Sequence, residues 1–476
     1  MRDSQPHIVI IGGGITGLSA AWHIQQTTPE TTYTLLEKSN RWGGKVITEK
    51  MPGLDGGHFT IDAGPESFIT RKPEAWELTC ELGLADSVID PGSETRHMFV
   101  LDTGKPVEIP LSPVKFIRSP LMSAGGKLRM LQEPFVPAKR DGEDESLAQF
   151  VTRRLGREAL DKFIGPVLAG IYNTNPETQS ILTTSPVMRE MEAEYGGLFK
   201  GAIGRMRAAR HAKMSANGHP PKPRFMTFQN GAQELVEALV ARLKGDLRLG
   251  AEILRIGHTG ARYEITLANG EQILADALLF ATPANVTAHY LEVLAPQAAK
   301  GLAKIRHENI GTISLAFRET DVQLPNPING LMIPRREKRA IDAITWTSNK
   351  MPARAPVGYA LIRVFFGGSA PHLVEYTNPA LLSIVREELR AMLGITAPPL
   401  DYRIQRWPHS FPQADVGHLD LVDAIEAALP DGLYLAGSSY RGLGVPDCIR
   451  QGRDAADKAA ARLNGNTFIN QLKIEG

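Results

Sequence analysis

Three glycines spaced Gly12-x-Gly14-x-x-Gly17 stand between a β-branched run, HIVII (7–11), and a helical stretch from about Ile15 to Gln26. A second apolar run, YTLLE (33–37), follows. The order reads as strand, tight turn, helix, strand. Gly12 permits the turn, Gly14 lets a pyrophosphate approach the backbone, and Gly17 lets the helix pack close on the strand. Gly13, Ile15 and Thr16 complete the loop, and the phosphate charge meets the positive helix terminus. Glu37 ends the second strand, 20 residues after Gly17. A carboxylate at that place hydrogen-bonds ribose hydroxyls. The pattern predicts a doubly wound α/β dinucleotide site. A glycine-rich turn in an ordinary α/β core is the competing reading.

Composition narrows the class. The chain has 476 residues, with 53 Lys and Arg against 52 Asp and Glu. A dedicated nucleic-acid binder carries a basic excess, so that class is set aside. At 42% hydrophobic the chain is not a disordered acidic protein. Its two cysteines, Cys80 and Cys448, cannot build a disulfide framework or a four-thiolate zinc site, so reducing cytosol is the expected compartment. The uncharged stretch from Ser4 to Pro29 is interrupted by four glycines and a polar Gln-Gln-Thr-Thr run. It fits neither a membrane span of about 20 apolar residues nor a signal peptide.

Further along, RYEITLANGEQILADALLFATPA (262–284) reads as two alternating strands about an Asn269-Gly270 turn, then an apolar strand. The preceding segment 225–245 reads as a helix stopping at Gly245. From about Pro110 to Met206 the pattern is mostly helical, and DESLAQFVTRRLG (144–156) opens on a capping Asp. Strands return from Gly311 to Trp407, and the end of the chain reads strand, loop, helix. A nucleotide-binding domain built from three separated segments is the simplest organisation.

Three features favour FAD over NAD. RWGGK (41–45) offers backbone passage at Gly43 and Gly44, with Arg41 or Lys45 to offset pyrophosphate charge. IDAGPES (61–67) breaks an extended strand at Ala63-Gly64-Pro65. AGSSYRGLGVPD (436–447) places Pro446 in the first turn of a helix, whose terminus can face the edge of a flavin that gains negative charge on reduction.

These ends resemble the flavin amine-oxidase superfamily. Five interior segments narrow the resemblance: GPESFITRK (64–72), VLAGIYNTNP (167–176), ITWTSNK (344–350), RWPHSFPQADVGH (406–418) and GVPDCIRQG (444–452). They are similar to the bacterial oxygen-dependent porphyrinogen oxidases, above all to the coproporphyrinogen III oxidases. The resemblance implies a Rossmann-like FAD-binding domain (1–72, 224–291 and 432–465), a mixed-sheet α+β substrate domain (73–95, 183–223 and 292–431) and a helical insert (96–182). It places FAD contacts on Gly12 to Gly17, Glu37, Lys38 and Lys45, beside the Arg41, Gly43 and Gly44 of the RWGGK loop. It adds Gly64, Pro65, Glu66, Ser67, Ile253, Trp407, Gly437, Val445, Pro446 and Asp447. Cys448 lies beyond the position at which monoamine oxidases anchor FAD, so the cofactor is expected to be non-covalent.

The implied reaction removes six electrons from coproporphyrinogen III as three hydrides, with O2 reduced to hydrogen peroxide. The cofactor carries the hard step, so no catalytic side chain and no metal are expected. Protoporphyrinogen IX is the alternative substrate. A polyamine or carotenoid oxidoreductase and a non-catalytic FAD- and porphyrin-binding protein are the remaining alternatives. Arg71 and Lys72 match a basic pair that would meet substrate propionates, or else form a solvated pair beside a helix start. Gly170, Ile171 and Tyr172 match a segment passing near the ring, or else close a core helix.

The stretch from Gly196 to Gln233 holds no Asp or Glu but contains Lys200, Arg205, Arg207, Arg210, Lys213, Lys222 and Arg224. Such a run steers an anionic substrate, touches anionic lipid or a partner, or is a solvated face. Peripheral membrane contact and transfer of product to a downstream haem-pathway enzyme are left open.

Overall fold

The computed structural model of the chain describes residues 5–91, 97–110, 112–172, 175–215, 225–260, 262–324 and 328–472. The β-branched run becomes the central strand, His7–Ile11, of a five-stranded parallel sheet. Its neighbours in order are Asp246–Arg248, Thr32–Leu36, His7–Ile11, Ala277–Phe280 and Leu433–Leu435. Both faces of a parallel sheet are covered, so its strands read as continuous apolar runs rather than alternating ones. Here Ile8 and Ile10 face one core with Leu18, Ala21 and Ile24 of the helix Ile15–Thr27, and with Ala455 and Ala459 of the closing helix Val445–Leu472. Val9 and Ile11 face the other core, against Ile256, Tyr263 and Ile265 of an antiparallel three-stranded layer.

A seven-stranded mixed sheet forms the second body, in the order Asp401–Pro412, His307–Arg318, Tyr359–Phe366, Ile341–Trp346, Gly330–Met332, Met98–Asp102 and Lys105–Glu108. Only the pairing of Gly330–Met332 with Met98–Asp102 is parallel. The helix Asn378–Leu393 backs it, with Leu381, Val385 and Leu389 against Ile313, Leu315 and Val364.

The third body is helical. Phe150, Val151 and Leu155 pack with Met130, Leu160, Ile181 and Leu198. Beneath them Arg154 and Glu133 form a fully buried ion pair. The Glu133 carboxylate also accepts the N–H groups of Leu198 (2.7 Å) and Phe199 (3.1 Å), which caps the helix Leu198–Ser215.

Several boundaries differ from the sequence reading. Phe225–Phe228 is a strand, not the start of a helix, because it pairs with Phe68–Ile69 and Val88–Ile89. The helix that follows is Gln233–Arg242 and ends before Gly245. The helix Leu147–Leu155 is capped by Ser146 in a capping box with Gln149, while Asp144 accepts the Gly417 N–H at 2.9 Å. The helical segment does not begin at 96, since residues 98–108 join the mixed sheet, and it runs on to Ser215. Arg336 and Glu337 form a turn, pairing with Asp102 and accepting from Gly104.

Candidate functional site

The glycine fingerprint sits at the carboxyl end of the central strand. Gly12 has φ +110°, a conformation that L side chains rarely adopt. A Cβ on Gly17 would run into the Gly12 carbonyl, so the helix lies on the turn only because that position is glycine. Gly14 differs. A Cβ there would meet nothing nearer than the Gly44 Cα at 4.0 Å. Gly43 N–H donates to the Gly13 carbonyl at 2.8 Å, so the two glycine loops lie side by side with an open seam between Gly14 and Gly44. No side chain caps the helix above Gly14, which leaves its first amides facing that seam.

Charged residues around the seam have unequal freedom. The Glu37 carboxylate already accepts from Gly13 N–H at 2.7 Å and Ser39 N–H at 2.8 Å. These bonds fix its position, and a carboxylate's remaining lone pairs can still take hydroxyls. Lys38 is exposed and paired with Glu252 at 2.9 Å. Arg41 donates to the Trp42 and Gly44 carbonyls (3.3 and 2.6 Å), so it braces its own loop. Lys45 donates to the Ser410 carbonyl and has no carboxylate partner among the described residues. Desolvation pushes its ammonium down to about 8. The open seam, the uncapped helix terminus and this uncompensated lysine fit an anionic dinucleotide.

The turn after the strand His58–Asp62 is held from the mixed sheet. Arg363 donates to the Ala63 and Gly64 carbonyls, at 2.9 and 2.8 Å. Lys350 reaches Glu66 at 3.2 Å and the Ser67 hydroxyl at 3.3 Å. Burial alone would raise the Glu66 carboxyl, but Lys350 and Arg363 outweigh it and hold it below its usual range. Pro65 completes the turn. Asp62, behind it, pairs with the buried Arg354 at 3.0 Å.

Ile253 is buried and opens the antiparallel layer two residues after Ala251, whose N–H donates to the Glu37 carbonyl at 2.9 Å. Trp407 is half-buried on the edge strand of the mixed sheet, in register with Ile310. Gly437 has φ +133° just past the strand Leu433–Leu435. Val445, Pro446 and Asp447 form the first turn of the closing helix. Cys448 is a buried thiol pushed up to about 11 by burial, so it stays protonated.

The basic pair is split. Arg71 is exposed and has no partner among the described residues. Lys72 Nζ lies 2.5 Å from Asp447 Oδ1, so of the two residues it is the one already paired with a carboxylate. Gly170, Ile171 and Tyr172 end the helix Gly165–Tyr172, and their side chains lie outside the described residues. So do those of Arg210, Lys213, Lys222 and Arg224, while Arg205 is paired with Glu190.

Sequence reasoning missed Lys350, Arg363 and His307. Arg363 had a signal: it is the one charge in the apolar run ALIRVFF. His307 Nδ1–H donates to the Ile305 carbonyl at 2.9 Å, and Nε2 accepts from the Ser439 hydroxyl at 3.2 Å. Burial pushes His307 down to about 4. Ser439 in turn accepts Ala284 N–H, which ties the parallel sheet to the mixed one.

A family model for flavin-containing amine oxidoreductases matches residues 15–460. The chain is 32% identical to the coproporphyrinogen III oxidase of Bacillus subtilis, over 97% of this chain and all of that protein. It is 31% identical to the coproporphyrinogen III oxidase of Staphylococcus aureus, over 96% of this chain and 99% of that protein. A crystal structure of a candidate protoporphyrinogen oxidase from Exiguobacterium sp. 255-15 superposes with a TM-score of 0.82 at 29% identity, covering 95% of this chain and 98% of that one.

Proposed function

The chain belongs to the flavin-containing amine oxidoreductase family, and on that premise we propose that it oxidises coproporphyrinogen III to coproporphyrin III. The cofactor is FAD, which when bound supplies the two-electron acceptor and passes the electrons to O2. What carries the reading is likeness over the whole chain to two coproporphyrinogen III oxidases. The residues have consistent work to do. The Gly14–Gly44 seam and the first amides of the fingerprint helix would hold the pyrophosphate. Glu37 would take ribose hydroxyls. The Ala63–Ser67 turn, fixed by Arg363 and Lys350, would orient the ring. Arg71, beside that turn and without a partner among the described residues, would meet a propionate.

An anaerobic titration with coproporphyrinogen III tests this. Loss of flavin absorbance with appearance of porphyrin fluorescence is expected, and no reduction of a fully loaded flavin sinks the reading. Protoporphyrinogen IX remains the second reading, favoured by the Exiguobacterium structure. A higher kcat/KM for protoporphyrinogen would select it.

We further propose that the helical body touches an anionic lipid surface. Ile117, Leu128, Leu131, Phe135, Ile203 and Met206 are exposed on it. No Asp or Glu lies between Glu108 and Glu133, or from Gly196 to Gln233. An apolar face rimmed by cations suits such a surface. Among the described residues no helix is long and apolar enough to cross a membrane. Co-sedimentation with anionic but not neutral vesicles, lost in Leu128→Glu/Phe135→Glu, is the expected result. Equal recovery with both vesicle types removes the proposal.

A further inference from the structure

We infer that Asp447 is a specificity-determining residue, an internal carboxylate that occupies Lys72 until a substrate carboxylate replaces it. This rests on the reading of the substrate as a porphyrinogen bearing propionates. Arg71 and Lys72 are adjacent in sequence, yet among the described residues only Lys72 is engaged, at 2.5 Å from Asp447 Oδ1. The pair is asymmetric. The Asp447 side chain is 8% exposed and that of Lys72 is 38% exposed. The lysine reaches in from the open side, and it is the partner that can leave.

Asp447 is fixed in place. Its Oδ2 accepts the Gly444 N–H at 3.2 Å, in the turn that leads into the closing helix. It would not be stranded by the loss of Lys72. Arg450 Nη2 already stands 3.9 Å from the same Oδ1 and donates to the Arg441 carbonyl at 3.0 Å, while its Nη1 holds Asp454 at 3.0 Å. Arg450 therefore stays beside Asp447 as its cation when Lys72 leaves. The exchange therefore has two defined end states: Lys72 on Asp447 with Arg450 beside it, or Arg450 alone beside Asp447 with Lys72 on a ligand.

Arg71 and Lys72 then act in different ways. Arg71 offers a free fork to the first carboxylate. Lys72 gives its charge only to a ligand anion that outcompetes Asp447. A ligand without a second carboxylate nearby gains nothing from Lys72. The device selects for multiply carboxylated tetrapyrroles over uncharged ones of the same shape. Partly exposed ion pairs hold by about two- to fivefold, which sets the size of the effect.

The test titrates the oxidised holoenzyme with coproporphyrin III, and separately with its tetramethyl ester, following porphyrin fluorescence. Asp447→Asn keeps an acceptor for Gly444 N–H but releases Lys72. It is expected to bind coproporphyrin about two- to fivefold more tightly than the wild type, with ester binding unchanged. In a Lys72→Met background the same substitution should give no tightening. Asp447→Ser, which also retains an oxygen for the Gly444 N–H, takes its place where Asp447→Asn loses flavin. Unchanged or weaker coproporphyrin binding by the flavin-loaded variants overturns the inference, and so does equal tightening without Lys72. A wild type that neither binds coproporphyrin nor is reduced by coproporphyrinogen III overturns the substrate reading instead.

Discussion

Arg363, on a central strand of the mixed sheet, donates through a single nitrogen to the Gly64 carbonyl at 2.8 Å and to that of Ala63. The two residues lie 299 positions apart, and the bond joins the mixed sheet to the turn that would face the ring. Arg363→Leu leaves two buried carbonyls and the Glu66 carboxylate short of a partner. A loss of about 3 kcal/mol in stability is expected, with flavin content falling alongside. Arg363→Lys should recover only part, because a lysine head does not reproduce the guanidinium's planar fork. Thermal unfolding and the ratio of flavin to protein absorbance measure both.

Gly14 and Gly17 should fail in different ways. Gly17→Ala drives a methyl into the Gly12 carbonyl, so the helix must shift and the cofactor-free protein itself should lose stability. Gly14→Val places its side chain in the open seam beside Gly44, where the fold has room and a pyrophosphate would not. That variant is expected to fold with near-normal Tm and to purify colourless. A yellow, fully loaded Gly14→Val protein would contradict the placement.

Lys45 makes FAD affinity depend on pH. Its ammonium is held down to about 8 in the cofactor-free chain, and an anionic cofactor would raise it again. Binding then takes up a proton, so affinity is full below about pH 8 and falls above it, by up to about tenfold per pH unit. FAD titrations at pH 7 and 9 should show this in the wild type and not in Lys45→Met. A flat profile in both argues that Lys45 does not meet the anion.

Glu133 joins two duties, pairing with Arg154 and capping the helix Leu198–Ser215. Glu133→Gln removes the nearer of the two counter-ions of buried Arg154 and leaves Glu192 at 3.4 Å, so a loss of about 1–3 kcal/mol is expected. Denaturant unfolding should show that loss. Isolated flavin absorbance should change little, since the helical body is separate from the glycine seam.

The His307 ring stays neutral in the folded chain down to about pH 4, whereas in the unfolded chain it protonates near 6.5. Its contribution to stability is full above about pH 6.5 and declines as pH falls towards 4, because only the unfolded chain takes the proton there. His307→Gln should flatten that part of a stability-versus-pH curve.

How much of this was legible depended on separation along the chain. The fingerprint, Glu37 and the hairpin about Asn269-Gly270 are local patterns, and each folds as its period and turn residues require. Phe225–Phe228 is read together with the helical spacing that begins at Leu235, and it becomes strand because Phe68 and Val88 supply its edges. Strand propensity is settled by neighbours of this kind. The same holds for Met98–Asp102. At the site, the glycines and Glu37 were readable because backbone geometry demands them. Lys72 and Asp447 were each readable as binding residues, yet 375 positions separate them, and nothing local shows that each satisfies the other. Ser146 displaced Asp144 as the cap because its hydroxyl accepts the Gln149 N–H, a difference of two residues.

The parallel sheet begins near residue 7 and is completed by the strand at 433–435 and the helix behind it. On a ribosome, the fingerprint loop therefore leaves the exit tunnel long before the elements that pack against it exist. Until more than four hundred further residues have been made, the core around Ile8 and Ile10 lacks the wall formed by Ala455 and Ala459. A chain stopped before the closing helix would carry every fingerprint glycine and still lack one wall of the core that the central strand needs.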